Sequence, residues 1–575
     1  MEDVFPVPDD QPCPENKTLF QGFEWYCPAD HQHWNRLTQA IPALAALGIT
    51  GMWIPPACKA SWPDRNGYDM YDLYDLGEFY QKGGRHTKWG TKEELVNLTD
   101  TASAHGIGVL FDAVLNHKAA ADYTETVLAV KVDPANRMAE IGEPQEVEVW
   151  TGYEFKGRGE TYSPLKWQAE HFTGIDYDSK TKTNVLWKFI GKKWSDEVDE
   201  ELGNYDYLMF ADIDHSHPEV RQDVFNWVEW LGSQLKLGGL RLDAIKHYSA
   251  RFLRDLVQHI DTTVGKDWFL VGEYWRGDSH VLARYIEYMN NRISLFDVEL
   301  CCNFSKISLG QRPDLRTVFS GTLVTVKPAN TVTFVVNHDT QERQSLETPV
   351  APYFIPLAYA IILLRANCGI PCVFWCDLYG SFGPEPKPDR SNYVPPAVNG
   401  TILPKLLLAR KMYAYGTQTD YFDQPDCVGF TRSGHPSHNK GAGLAVVLNI
   451  GWTFAMKRVC VGRQHAGERW TDLLRATWGE ILIDDQGYGI FPVGPRGVAV
   501  WADRAAEGRE YIEQFVFDSD IYGFADEQRR VVEEKMRADE ERRLRTTPAW
   551  LQEHPLPNSS KNEQSLSTLG FTALS

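Results

Sequence analysis

Three acidic residues close apolar, strand-like runs that lie far apart in the chain: Asp243 ends GLRLD, Glu273 ends FLVGE and Asp339 ends TVTFVVNHD. Opening an acetal bond between sugars needs one carboxylic acid to protonate the departing oxygen, and a second carboxylate to attack the anomeric carbon or activate water. Arg241 stands two residues before Asp243, so on a strand both side chains point the same way. A guanidinium there would hold the carboxylate ionised, as a nucleophile requires. Glu273 is followed by Tyr274 and Trp275, and partial desolvation against them would raise its pKa and keep the proton that an acid catalyst delivers. Asp339 could stabilise positive charge developing on a sugar ring. A single acid at a strand end is more often a helix cap or a surface ion partner. Three of them, each with polar neighbours, point to a shared site.

Such residues need a frame that brings strand ends together. Eight short apolar or β-branched runs recur with helical patterns between them: Leu19–Trp25, Gly51–Pro55, Gly108–Val114, Gly239–Asp243, Phe269–Glu273, Ser294–Val298, Thr331–Asn337 and Pro371–Trp375. Eight parallel strands close a barrel whose strand C-termini form the active-site mouth. The expected fold is therefore α/β, a (β/α)8 TIM barrel over 1–117 and 207–414. The rhythm breaks after the third strand, and 118–206, rich in aromatic, Gly and charged residues, reads as an inserted subdomain. Alternating runs such as LAVVLNI and GVAVWA predict a C-terminal antiparallel β-sandwich over 415–503. The remainder, 504–575, reads as a solvated charged helix (Asp526–Arg545) and a flexible polar tail (Thr546–Ser575).

Composition excludes some partners. The 575 residues carry 78 acidic and 58 basic side chains, a net charge of −20, with no basic block, which argues against nucleic acid. Phe354–Leu364 is too short for a membrane span and reads as a buried barrel helix. Met1–Lys17 lacks the basic and apolar segments of a secretory signal, so the expectation is a cytoplasmic monomer. The ten cysteines are scattered and are expected as free, mostly buried thiols. Cys368, Cys372 and Cys376 lack zinc-ligand spacing.

The motifs DAVLNH (112–117), GLRLDAIKH (239–247), GEYW (272–275) and FVVNHD (334–339) resemble, in their order, those of the α-amylase superfamily of glycoside hydrolases, over roughly residues 15–500. The resemblance implies that Asp243 is the nucleophile, Glu273 the general acid/base and Asp339 the transition-state stabiliser. It implies that Arg241 orients the nucleophile, His117 and His338 bond sugar hydroxyls, Tyr68 and Trp275 stack on sugar, and Lys246 and His247 lie on the leaving-group side. Asp112 resembles the family's structural acid on the third strand; Trp25 and Trp62 stay open between sugar stacking and core filling.

GNYDYLMFADIDHSHP (203–218) resembles the stretch where one structural calcium ion ties the inserted subdomain to the barrel. Asn116, Asp206 and Asp212 would supply side-chain oxygens and His247 its carbonyl, an oxygen-only set that suits calcium. LMFADID and EYW look most like the liquefying bacterial type and its intracellular fungal relatives. Further metal positions of the bacterial enzymes fall on Thr173 and Ser195, so one ion is expected. The implied reaction is retaining endo-hydrolysis of α-1,4-glucosidic bonds in starch- or glycogen-like glucans and maltooligosaccharides. Transfer to another sugar by the same site, an α-glucanotransferase, is the alternative.

Overall fold

The computed structural model describes residues 13–383, 393–396 and 402–524. Eight short strands form its centre: β1 (Leu19–Gln21), β2 (Gly51–Trp53), β3 (Gly108–Ala113), β4 (Leu237–Leu242), β5 (Phe269–Gly272), β6 (Ser294–Phe296), β7 (Thr331–Phe334) and β8 (Ile370–Phe374). They pair in chain order, and β8 closes on β1 in parallel with Cys372 opposite Leu19. The runs are nearly continuously buried, as strands covered on both faces by helices must be. One backbone approach demands a missing side chain. Gly239 in β4 has φ +154°, and a Cβ there would lie 1.8 Å from the Phe269 carbonyl oxygen of β5, so only glycine fits.

Helices α1 (His33–Ala46), α2 (Lys92–Ala104), α3 (Pro218–Gln234), α4 (Ala250–Thr263), α5 (Ser279–Tyr288), α6 (Val298–Ser308), α7 (Ile355–Leu364) and α8 (Ile402–Tyr413) surround the barrel. In α4 the buried Phe252, Leu253, Leu256, Val257 and Ile260 recur at helical spacing and form one apolar face. Helix α2 starts at a capping box in which Thr91 and Glu94 satisfy each other's backbone amides. Nearly every residue of α7 is buried, which accounts for its all-apolar sequence.

The excursion after β3 is a six-stranded sheet. Its strands run in the order His117–Lys118, Ala211–Ile213, Phe172–Asp178, Thr183–Phe189, Tyr123–Asp133 and Asn136–Gly152. Val147, Val149, Trp167, Phe172 and Trp187 are among its buried core residues. One of its strands, Ala211–Ile213, lies beyond the boundary expected at 206. Ala211–Ile213 pairs with both His117–Lys118 and the start of Phe172–Asp178, a partnership across some ninety residues that local pattern does not reveal.

Toward the C-terminus, six strands order as Gln418–Tyr421, Cys427–Arg432, Leu444–Asn449, Gly497–Asp503, Arg469–Asp472 and Ile481–Leu482, beside a two-stranded sheet, Ala455–Cys460 with Tyr488–Val493. Val447, Val459, Trp470, Phe491 and Trp501 are buried together between them. A short helix, Arg509–Gln514, follows. The expected charged helix at 526–545 and tail at 546–575 lie outside the described residues. All ten cysteines are free. Among the described residues no helix is long and apolar enough to cross a membrane.

Candidate active site

At the C-terminal mouth of the barrel one guanidinium gathers the acids. Arg241 is buried near the end of β4. Its Nη1 donates to Asp112 Oδ1 at 2.7 Å and to Asp243 Oδ1 at 2.5 Å, while Nη2 lies 3.0 Å from Glu273 Oε2. Glu273 Oε2 also accepts the Ala244 amide at 3.1 Å. Asp112 is held by Trp53 Nε1 and Tyr68 Oη, each at 2.9 Å. Asp339 is close enough to feel Glu273, Arg241 and Asp243 electrostatically. Four carboxylates from three barrel strands and the loop after β7 thus share the field of one cation.

Burial dominates their protonation. Asp243 is pushed up to about 6, first by desolvation, against the lowering effect of Arg241. Burial thus outweighs the guanidinium that was expected to hold it ionised, and a carboxyl at about 6 still ionises at neutral pH. Glu273 is raised by burial and by the neighbouring Asp243 charge, the direction an acid catalyst needs. Asp339 is driven well above the usual carboxylate range by burial and then by Glu273. Arg241 is in turn held protonated by its acidic ring.

An aromatic wall flanks the acids. Trp25 stacks on Tyr68 with centroids 5.9 Å apart and rings 9° from parallel, and Tyr68 stacks on His338 at 5.2 Å and 11°. Trp25, left open by sequence, therefore belongs to this wall. Trp62 is exposed and packs over Gly83 instead. His338 Nδ1 lies 3.1 Å from the Gln21 side-chain nitrogen. That amide donates, so the ring proton sits on Nε2, a buried atom without a hydrogen-bond partner, 3.3 Å from Asp339 Oδ2. Burial keeps this imidazole neutral. His117 gives its Nε2 proton to the Tyr68 carbonyl at 2.8 Å, while its Nδ1 faces the Asn116 side-chain nitrogen at 3.5 Å. Trp275 is half-buried and packs near Phe334.

Lys246 Nζ binds Glu201 Oε2 at 2.7 Å and the Trp275 carbonyl at 3.1 Å. His247 Nδ1 donates to the Tyr205 carbonyl at 2.8 Å, which ties it to the neighbour of Asp206. The Ile213 amide donates to the Asn116 carbonyl at 3.1 Å, which draws Asp212 to Asn116. At this junction the Asn116 Oδ1 is buried with no partner. Asp206 is pushed up to about 7, first by burial, and Asp212 well above its usual range by burial and by Asp206. Thr173 Oγ1 donates to Asp212 Oδ2, the Ser195 amide donates to Asp206 Oδ2 at 2.9 Å, and Lys192 Nζ pairs with Asp214 Oδ2 at 2.7 Å. An orphaned amide oxygen beside two mutually repelling buried carboxylates is a donor set that fits a hard cation.

Sequence reasoning missed several supporting residues. Gln21 sets the His338 tautomer, Trp53 holds Asp112, and Arg137 bonds the Tyr207 carbonyl and partly offsets the Asp206 and Asp212 charges. Gln21 and Trp53 end β1 and β2, so their place at the mouth was the signal available. Arg137 sits in the excursion and had none. Beyond His117, a cavity of about 400 Å³ is lined by Lys118, Trp150, Ile175, Asp176, Tyr177 and Phe210, among others.

Residues 29–385 match the family described as the α-amylase catalytic domain. The chain is 46% identical over 490 residues to an α-amylase of Bacillus licheniformis, covering 85% of this chain and 94% of that relative. It is 38% identical over 492 residues to a cytoplasmic α-amylase of Escherichia coli strain K12, covering 84% and 98%. Among solved structures, an α-amylase from Geobacillus thermoleovorans complexed with acarbose aligns with a TM-score of 0.57 at 16% identity, over 85% of this chain and 98% of that one. At that identity the likeness is one of fold.

Proposed function

Because this chain belongs to the α-amylase family and is a glycoside hydrolase, we propose that it cuts internal α-1,4-glucosidic bonds of starch- or glycogen-like glucans and maltooligosaccharides with retention of configuration. The observation that carries this reading is the single guanidinium of Arg241 spanning Asp243 and Glu273, with Asp339 in the same field.

In the first step an Asp243 carboxylate oxygen attacks the anomeric carbon, the bond to the departing O4 breaks, and Glu273 passes its proton to O4. In the second, a water gives a proton to the Glu273 carboxylate and attacks the same carbon, and the Asp243 ester bond breaks. Retention requires the two carboxyl groups about 5–5.5 Å apart, a spacing served by contact with adjacent nitrogens of one guanidinium. Asp339, whose carboxyl burial pushes well above the usual range, and the Nε2–H of His338 offer hydrogen bonds to hydroxyls of the ring being cut. In this reading His117 borders a further hydroxyl of that ring, and Tyr68 and Trp275 give apolar faces. Lys246 and His247 border the leaving-group side, and the cavity beside His117 has room for further glucose units.

A calcium ion held by Asn116, Asp206, Asp212 and the His247 carbonyl would neutralise the acids at the junction and pin the excursion to the barrel. The orphaned Asn116 oxygen supports this. One ion suffices, because Lys192 already places a positive charge on Asp214. The name of the Escherichia coli relative and the ten free thiols favour the cytoplasm. Product analysis on maltoheptaose tests the reaction: only shorter chains, released in the α configuration, are expected. Products longer than the substrate would assign the site to glucanotransfer.

A further inference from the structure

Two neighbouring aromatic side chains stand in solvent far along the sequence from the catalytic motifs. In the turn between Leu444–Asn449 and Ala455–Cys460, Trp452 and Phe454 are each 74% exposed, and Met456 is 68% exposed. Exposed apolar surface gathered in one place marks a binding face. The turn that presents it is firmly held. Gly451 N donates to Asn449 Oδ1 at 2.8 Å, and Asn449 Nδ2 donates to the Thr453 carbonyl at 2.8 Å and the Gly494 carbonyl at 2.9 Å.

Trp452 is fixed from one side. The Arg496 guanidinium carbon lies 3.4 Å from the centroid of its ring and 4.4 Å from that of Tyr353, so two aromatic rings hold the cation. The outer face of the indole stays open. Strand alternation continues the surface: Met456 and Arg458 face outward while Lys457 and Val459 are buried. Across the ladder, Pro492 opposes Met456 and the exposed Ile490 opposes Arg458.

We propose that this face is a second α-glucan-binding site. Pyranose rings of a starch- or glycogen-like chain stack on Trp452 and Phe454, and their hydroxyls accept hydrogen bonds from Arg496 and Arg458. The inference rests on the reading of the chain as an α-glucan hydrolase. Charge favours a neutral polymer here. The protein carries −20 overall, which opposes anionic surfaces, Arg496 is already covered by rings, and Arg458 faces Asp484 at 3.7 Å. A glucose ring has the matching chemistry, apolar C–H faces rimmed by hydroxyls. Polymer held on this platform raises the local concentration of glycosidic bonds for the catalytic mouth.

The test is the double variant Trp452→Ala/Phe454→Ala. Binding is measured in an Asp243→Asn background, which spares the polymer, by electrophoretic retardation in glycogen-containing gels, with a thermal melt to check the fold. We expect retardation about fivefold weaker than in the parent. In the active enzyme, starch-granule hydrolysis should fall several-fold while kcat/KM on maltoheptaose stays unchanged. Arg496→Met, which releases the indole and keeps both rings, should weaken glycogen binding about twofold. Unchanged glycogen retardation in the double variant overturns the proposal. So does unchanged glycogen binding accompanied by loss of anionic-vesicle binding or of self-association in sedimentation. A parent inactive on maltoheptaose would instead strike the catalytic reading, leaving the retardation result to decide this site.

Discussion

Two clusters of buried carboxylates lie on the same framework, and they differ in the positive charge that the chain itself supplies to each. At the mouth, Asp112, Asp243 and Glu273 converge on Arg241, which the fold supplies from β4. At the junction, Asp206 and Asp212 face each other and an unpartnered Asn116 oxygen, with Arg137 as a partial counterweight. Burying a charge is costly unless it is paired. The first cluster is complete when the chain folds, whereas in the proposed reading a bound calcium ion would complete the second. A reacting group must stand ready without a diffusing partner, while a clasp can depend on one.

The largest expected effect separates chemistry from folding. Asp243→Asn removes the proposed nucleophile but keeps volume and a hydrogen bond to Arg241, so turnover on maltoheptaose should fall by about 10⁴-fold or more with an unchanged circular dichroism spectrum. Activity within tenfold of the parent would remove Asp243 from its role. Arg241→Met should strike stability as well, since it strands three buried acids. We expect a loss of about 3–5 kcal/mol in urea unfolding, and a variant as stable as its parent would mean that Arg241 is not what holds the mouth together.

The junction predicts an unusual pH dependence. Asp206 is raised in the fold to about 7, above the ordinary carboxylate value of about 3.9 that it takes when unfolded. The folded state therefore binds more protons between these values, and stability in chelator should fall as pH rises from about 4 through 7, by an amount on the order of 4 kcal/mol. Millimolar calcium should flatten that curve. Identical urea midpoints at pH 5 and pH 8 in chelator, unaffected by calcium, would break the contrast between the clusters. The smallest effect is that of Thr173→Val, which deletes the hydroxyl bonded to Asp212. It should cost about 1–2 kcal/mol in chelator and less with calcium present, as read from thermal melts.

Much of this was legible in the sequence, because barrel strands are short, apolar and bounded. Six of the eight expected runs contain the observed strands, the other two overlap strands that begin one or two residues earlier, at Leu237 and Ile370, and α7 is the buried helix that its composition announced. The convergence of 243, 273 and 339 was legible for the same reason, since strand ends in a closed barrel must meet. Long-range pairing was not. Nothing near Ala211–Ile213 shows that its partners are His117–Lys118, and so the excursion was expected to end too early. Environment was not legible either. Arg241 beside Asp243 suggested a depressed carboxyl, but a sequence does not say how completely both are removed from water, and burial outweighs the ion pair. The tautomer of His338 depended on Gln21, more than three hundred residues away.

The link between β3 and the excursion is short. Only Val114, Leu115 and Asn116 separate the barrel strand ending at Ala113 from the sheet strand beginning at His117, so one short tether joins an oxygen of the proposed calcium clasp to an imidazole of the proposed active site. Heat that loosens the clasp will tug the wall out of register while the barrel is still intact. Inactivation should then precede melting, with the hinge behaving as a thermal fuse.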